Sequence, residues 1–211
     1  MSLVSPVLRG ALCAAALVLA AGPAGAALVP LDNSNPDFND NLLNNGDTAT
    51  GGSIVLTFGN VLSAYGGNAV GVDGDGIYLA GATSSYGTAA TSFSIVFDTD
   101  TLIDQYTVGY IQLGPTGGFQ LAGANGTSGL NDMSTVGTFT FDMGSIPFFA
   151  AGQMYTLTHT ISGGGFVLSE LDSFNISEYS DPNPAPAPAT ALLLAGGLLG
   201  LRTLRRAPRR D

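Results

Sequence analysis

Carboxylates are the only side chains charged at neutral pH that this sequence supplies away from its ends. Three runs gather them closely enough to act together. Asp73-Gly74-Asp75-Gly76 sets two carboxylates on alternate positions of a glycine-bounded turn. Calcium takes oxygen ligands, so Asp73 and Asp75 are the first candidates for a cation site. The run is not a helix–loop–helix calcium loop, because the residue where that loop needs a bidentate Glu is Ser84. The same four residues also suit a hairpin turn, where Asp and Gly accept positive φ. Asp98-Thr99-Asp100, with Asp104, is the second candidate, since loop carboxylates that follow a strand can converge. The third run is Asp32-Asn33-Ser34-Asn35 with Asp37, Asn39 and Asp40, an oxygen-rich stretch that reads as a disordered or loop-like leader.

Other chemistries find little support. His159 is the only histidine, and strand alternation places it on an inward face, as a hydrogen-bonded core residue. Cys13 lies in an apolar N-terminal stretch, so the segment beyond residue 26 has no thiol nucleophile and no disulfide. One imidazole without cysteine does not make a zinc site of several such ligands. No Gly-x-Ser-x-Gly elbow, P-loop or dinucleotide fingerprint occurs. Two acids about 5–9 Å apart would suit glycoside hydrolysis. Yet Glu170 and Glu178 are the only glutamates, and no Trp is present to stack on a sugar. Tyr65, Tyr78 and Tyr86, beside Gly and Asn, are the candidates for a sugar-facing surface.

The elements that must position these groups are strands. In residues 92–97, Phe93, Ile95 and Phe97 fall on one face; in residues 138–142, Phe139 and Phe141 do the same. Residues 154–161 put Tyr155, Leu157, His159 and Ile161 opposite Thr156, Thr158 and Thr160. Period-two alternation rich in Thr, aromatic and β-branched residues marks half-buried strands. Residues 53–58, 76–80, 106–113, 165–168 and 174–179 are further strand candidates. Thirty glycines in 211 residues punctuate them, about twice the usual ~7%. No capped helical period and no fixed-length repeat is visible between residues 27 and 181. The expected fold class is all-β, an antiparallel β-sandwich of jelly-roll kind.

Charge is segregated. Every Arg except Arg9 lies at or beyond Arg202, and no Lys occurs. Of the 16 acidic residues, only Asp211 falls outside the stretch from Asp32 to Asp181. The central domain is therefore anionic, with no Lys or Arg to pair its carboxylates. That sign disfavours nucleic acid and anionic lipid as partners.

Both ends read as addresses. Residues 1–26 carry Arg9, an apolar stretch and the small-x-small triplet Ala24-Gly25-Ala26, so a signal peptide ending at Ala26 is expected. Residues 182–189 are a Pro/Ala linker, extended because proline cannot continue a helix. Residues 189–201 are uncharged and would make a helix of about 20 Å, short of the ~30 Å of a bilayer core. Arg202, Arg205, Arg206, Arg209 and Arg210 follow, and basic flanks stay on the cytoplasmic side. Residues 190–211 are thus expected to be a short transmembrane helix with an Arg-rich cytoplasmic tail.

Pro-x-Pro, a short Leu/Gly/Ala helix and an Arg cluster, in that order, resemble the PEP-CTERM sorting signal of Gram-negative bacteria. Pro186, Pro188 and Ala189 match its variant written V-P-L-P-A, while Ala185 and Ala187 depart from it. Together with Arg202, Arg205 and Arg206 they are the residues that carry the likeness, which is confined to the tail. The resemblance implies export by the secretion machinery, a transient stay in the inner membrane, and removal of the tail by an exosortase-like membrane protease. It implies a secreted or cell-surface protein. The body, residues 27–181, is expected to be a non-enzymatic surface or matrix domain without an obligatory cofactor. The alternative expectation is a calcium-dependent carbohydrate-binding or adhesion module of the extracellular polysaccharide, using Asp73, Asp75, Asp98 and Asp100.

Overall fold

The computed structural model describes residues 25–63, 67–79, 90–163 and 167–182. The signal segment up to Ala24, the Pro/Ala linker beyond residue 182, the apolar run and every residue of the sorting motif lie outside the described residues. So do Tyr65 and Tyr86. A division of the chain falls between Tyr179 and Ser180. Among the described residues, no helix is long and apolar enough to cross a membrane.

The body is all-β, as the alternation requires, and its strands form two antiparallel sheets. In the first sheet, β7 (Ala90–Phe97) is central, between β4 (Ile54–Ser63) and β13 (Met154–His159). Strand β3 (Thr48–Gly51) extends it beyond β4, and β9 (Gly118–Gly123) extends it beyond β13. The short β10 (Gly126–Thr127) and β11 (Asn131–Asp132) both pair with β9. In the second sheet, β14 (Leu168–Glu178) is central. It pairs along its length with β8 (Thr101–Gln112), and β8 pairs on with β12 (Gly137–Thr140). Its other edge is shared between β1 (Ala27–Pro30) and β6 (Gly76–Leu79). Beyond β6 come β5 (Ala69–Asp73) and β2 (Leu42–Asn44). One parallel pairing, Leu79 with Ala90, links the sheets.

Apolar side chains from both sheets meet between them. Phe93, Ile95 and Phe97 are fully buried, as the alternation predicts, and so are Tyr155 and Leu157. Phe119 of β9 packs against Tyr106 of β8 and Phe174 of β14, with ring centroids 5.3 and 6.2 Å apart. Burial of each such ring contributes about 1.5–3 kcal/mol, with roughly 1 kcal/mol more for the edge-on contacts. The buried Tyr hydroxyls are satisfied: Tyr106 donates to the Asp132 carbonyl, and Tyr155 donates to Asn125 and accepts from Ala150 N–H.

Three expectations change. The acid-rich leader is loop-like but not disordered: it runs through turns and a 3-10 turn at Pro36–Phe38, and Phe38 is fully buried. Its carboxylates serve as turn acceptors. Asp37 takes hydrogen bonds from both the N–H and the hydroxyl of Thr48, which hold its carboxyl below the usual range. Of residues 165–168 and 174–179, read as two strands, 165 and 166 lie outside the described residues, while Leu168 and residues 174–178 belong to a single strand, β14. Its register slips between Glu170 and Leu171, Leu171 and Ser173, and Asn175 and Ile176. The second of these leaves Asp172 of β14 without a partner on β8 and breaks the period of two on which strand recognition depends. Phe139 is only partly buried at the edge of the core, while Phe141 beyond the strand end is inside.

Candidate functional site

Strand β14 is flanked by β6 and β8 at one row in particular. Glu170 pairs with Tyr78 on one side and with Tyr110 on the other. Residues directly opposite in antiparallel strands share a face, so Tyr78, Glu170 and Tyr110 stand in a line. The next row, Leu168 opposite Gln112, continues it. Tyr110 reaches this face because the pairing skips Gly109: Leu171 meets Val108, and Glu170 meets Tyr110. Without that bulge, Tyr110 would follow Val108 into the core.

The β5–β6 turn closes the row. Asp73 pairs with Gly76, leaving Gly74 and Asp75 as the two-residue loop. Gly76 has φ +127°, and a Cβ there would collide with the Leu171 carbonyl. Gly109 likewise has no room for a Cβ, because the Asp75 carbonyl rests against it. Two glycines therefore let the turn lie down on β14 and β8, which brings its carboxylates to Glu170. Asp73, Asp75, Tyr78, Tyr110, Gln112, Leu168 and Glu170 line a cleft of roughly 240 Å³.

The three acids converge, with one carboxylate oxygen from each of Asp73, Asp75 and Glu170 within 4.8 Å of the others. Asp73 accepts from Asp75 N–H on one oxygen and from the Tyr78 hydroxyl on the other, both at 2.8 Å. Carboxylate oxygens have two lone pairs each, so both remain able to accept again. Glu170 is only 2% exposed, and its Oε2 has no hydrogen-bond partner. Burial pushes its carboxyl up to about 8, helped by the charge of Asp73, a hydrogen bond with it, and the charge of Asp75. Asp172, two residues on, is also raised, chiefly by burial; the Ser173 hydroxyl opposes this, and Asp32 and Asp75 add to it. No Lys or Arg of the body is available to relieve the crowding. Such a cleft has the chemistry of a hard-cation site or of a proton store.

Asp73 and Asp75, both expected from the sequence, are thus brought together, and the structure adds Glu170. The rarity of Glu was a signal; the broken period of β14 concealed that this residue shares a face with the turn. Asp98 and Asp100 are placed elsewhere. Asp98 accepts from Val55 N–H and Asp100 from Ala151 N–H, each at 2.8 Å, so these carboxylates tie a turn to neighbouring chain. Asp104 contributes its carbonyl to Phe141 N–H. His159 is half-buried on β13 opposite Phe119. No protein-family model, curated protein or solved structure matches this chain.

Proposed function

We propose that this chain is an exported, non-enzymatic cell-surface or extracellular-matrix protein of a Gram-negative bacterium. Its sandwich, of jelly-roll kind, is the delivered body. Residues 1–26 direct it to the secretion machinery, and residues 182–211 are an exosortase-type sorting signal that holds an intermediate at the inner membrane. One observation carries the reading: the body closes just before that signal begins. Strand β14 ends at Glu178, and Tyr179 N–H donates to the Asp100 carbonyl. Cleavage in the Pro/Ala linker would therefore leave these sheets whole. Mass spectrometry of the protein from the cell surface tests it. A C-terminus within the linker is expected; surface protein that retains Arg210 and Asp211 would refute processing.

A second reading is a calcium-dependent module that binds extracellular polysaccharide. It is favoured by two tyrosines flanking the carboxylate cleft, Tyr78 and the 41%-exposed Tyr110. Aromatic faces beside carboxylates suit sugar rings and their hydroxyls. Binding to a polysaccharide array in calcium, lost in chelator, is the expected result. An array without hits in either condition removes this reading and leaves the first untouched.

A further inference from the structure

We propose that the carboxylates of Asp73, Asp75 and Glu170 form a divalent-cation site, suited to calcium, between the β5–β6 turn and strand β14. This goes beyond the export reading and does not rest on it, since it concerns the sandwich alone. It would also supply the metal that the polysaccharide reading requires.

Convergence is the first observation. Oxygens within 4.8 Å of one another can share one ion at calcium–oxygen distances of about 2.3–2.6 Å. Acidic clusters form for other reasons too, so the second observation decides. Glu170 is almost wholly buried, lines the cleft beside both Asp residues, and has one oxygen with no hydrogen-bond donor. A buried, unsatisfied carboxylate oxygen is costly, and a cation in the cleft would satisfy it. The body offers no Lys or Arg for that task. By contrast, the oxygens of Asp98 and Asp100 that face backbone amides already have their donors.

The donor set selects the ion. Carboxylates alone make a hard, all-oxygen site, which disfavours metals that prefer imidazole or thiolate. Gln112 lines the same cleft and offers a neutral amide oxygen. Glu170 comes from a central strand, whereas Asp75 comes from the exposed tip of a two-residue turn. Carboxylates and an amide oxygen drawn from a strand, a turn and a neighbouring strand make an irregular shell, which calcium tolerates better than magnesium. With three carboxylates and no dedicated binding loop, a weak site is expected, with a dissociation constant of about 10⁻⁴–10⁻³ M.

Terbium, which shares calcium's preference for oxygen, provides the test on the full chain in non-ionic detergent. The Tyr78 hydroxyl lies 2.8 Å from Asp73 Oδ2, and the chain has no Trp, so tyrosine excitation should sensitise an ion bound here. Expected are saturable emission, displacement by calcium, and the same behaviour in Asp98→Asn. Glu170→Gln, which keeps shape and removes charge, should weaken terbium by about tenfold or more. If circular dichroism shows Glu170→Gln to be misfolded, Asp75→Asn at the exposed tip replaces it with the same expectation. Absence of saturable emission from the native chain, emission that calcium does not displace, or emission undiminished in the folded variant would each overturn the site.

Discussion

The turns at Asp73–Gly76 and Asp98–Asp100 are made of similar material and put to different uses. Each follows a strand and carries two aspartates one residue apart. At Asp98 and Asp100, one oxygen of each carboxylate meets a backbone N–H from a distant stretch of the chain, Val55 or Ala151. Their negative charge serves to cross-link the fold. At Asp73 and Asp75, the turn lies flat on the sheet and meets a third, buried carboxylate. The difference lies in what sits beneath, not in the aspartates themselves. Glycines at 76 and 109 allow close approach, and a glutamate on β14 waits where the turn arrives.

The harshest way to break this contrast is to lift the turn off the sheet. Gly76→Ala forces a side chain into φ +127° and onto the Leu171 carbonyl. We expect a loss on the order of 3 kcal/mol or more, read from the urea midpoint. Thr99→Ala in the other turn should change stability by about 1 kcal/mol, the hydrogen-bond scale, or less. A Gly76→Ala protein as stable as the native one would show that the close approach is dispensable.

Proton binding separates the two turns next. Glu170 has its carboxyl raised from 4.5 to about 8, so between those values the folded state binds a proton that the unfolded state has released. Stability is then highest at the acid end of the window and falls as pH rises through it. The groups facing Glu170 are Asp73 and Asp75 from the turn, Tyr78 from β6 and Tyr110 from β8, and none is basic. Asp172, also raised, acts with the same sign. We expect a fall on the order of 3 kcal/mol between pH 5 and pH 8 in chelator, where a tenfold change in proton affinity is about 1.4 kcal/mol. Glu170→Gln should flatten most of it. Urea midpoints that do not move with pH in the native protein would deny Glu170 its raised affinity.

Much of the fold was legible because alternation is a local signal. Phe93, Ile95 and Phe97 announced a strand buried on one face, and they are fully buried. The acid-rich leader is a loop, but its order was hidden because it comes from partners outside the run: Asp37 is held by Thr48, and Asn33 N–H donates to the Asp73 carbonyl. No composition rule shows such pairing. The site was half legible. Asp73 and Asp75 stand out in a glycine-bounded turn, but Glu170 is brought to them by tertiary register. An irregularity on β14 itself, where Asp172 has no partner on β8, spoiled the period in which Glu170 could have been assigned a face. Positions that break a local pattern are where function was hardest to read and where it is now proposed.

Single carboxylates sharpen the comparison further. Asp98→Ala leaves Val55 N–H without its acceptor, and we expect a loss of about 1–2 kcal/mol in denaturation with unchanged terbium binding. Asp73→Asn keeps one oxygen to accept from Asp75 N–H, while its amide nitrogen can donate to the Tyr78 oxygen, and it removes one like charge beside Glu170. Its stability should therefore stay within about 1 kcal/mol of native, while terbium binding collapses. If both substitutions cost stability equally and neither touched terbium, the two turns would be doing the same job.

Ionic strength should give the smallest effect, and it acts on both turns alike. The body contains no Lys or Arg, so screening relieves repulsion and breaks few attractions. Raising sodium chloride from about 0.01 to 0.1 M shortens the screening length from ~30 to ~10 Å. A gain of about 1 kcal/mol or less is expected, equal in native protein and Glu170→Gln. Calcium chloride at matched ionic strength should add a further gain in the native protein alone, because only that protein offers all three carboxylates to one ion. If calcium instead stabilises native and Glu170→Gln equally, it is acting as a general counter-ion to an acidic body, and the Asp73 turn is no more a site than the Asp98 turn.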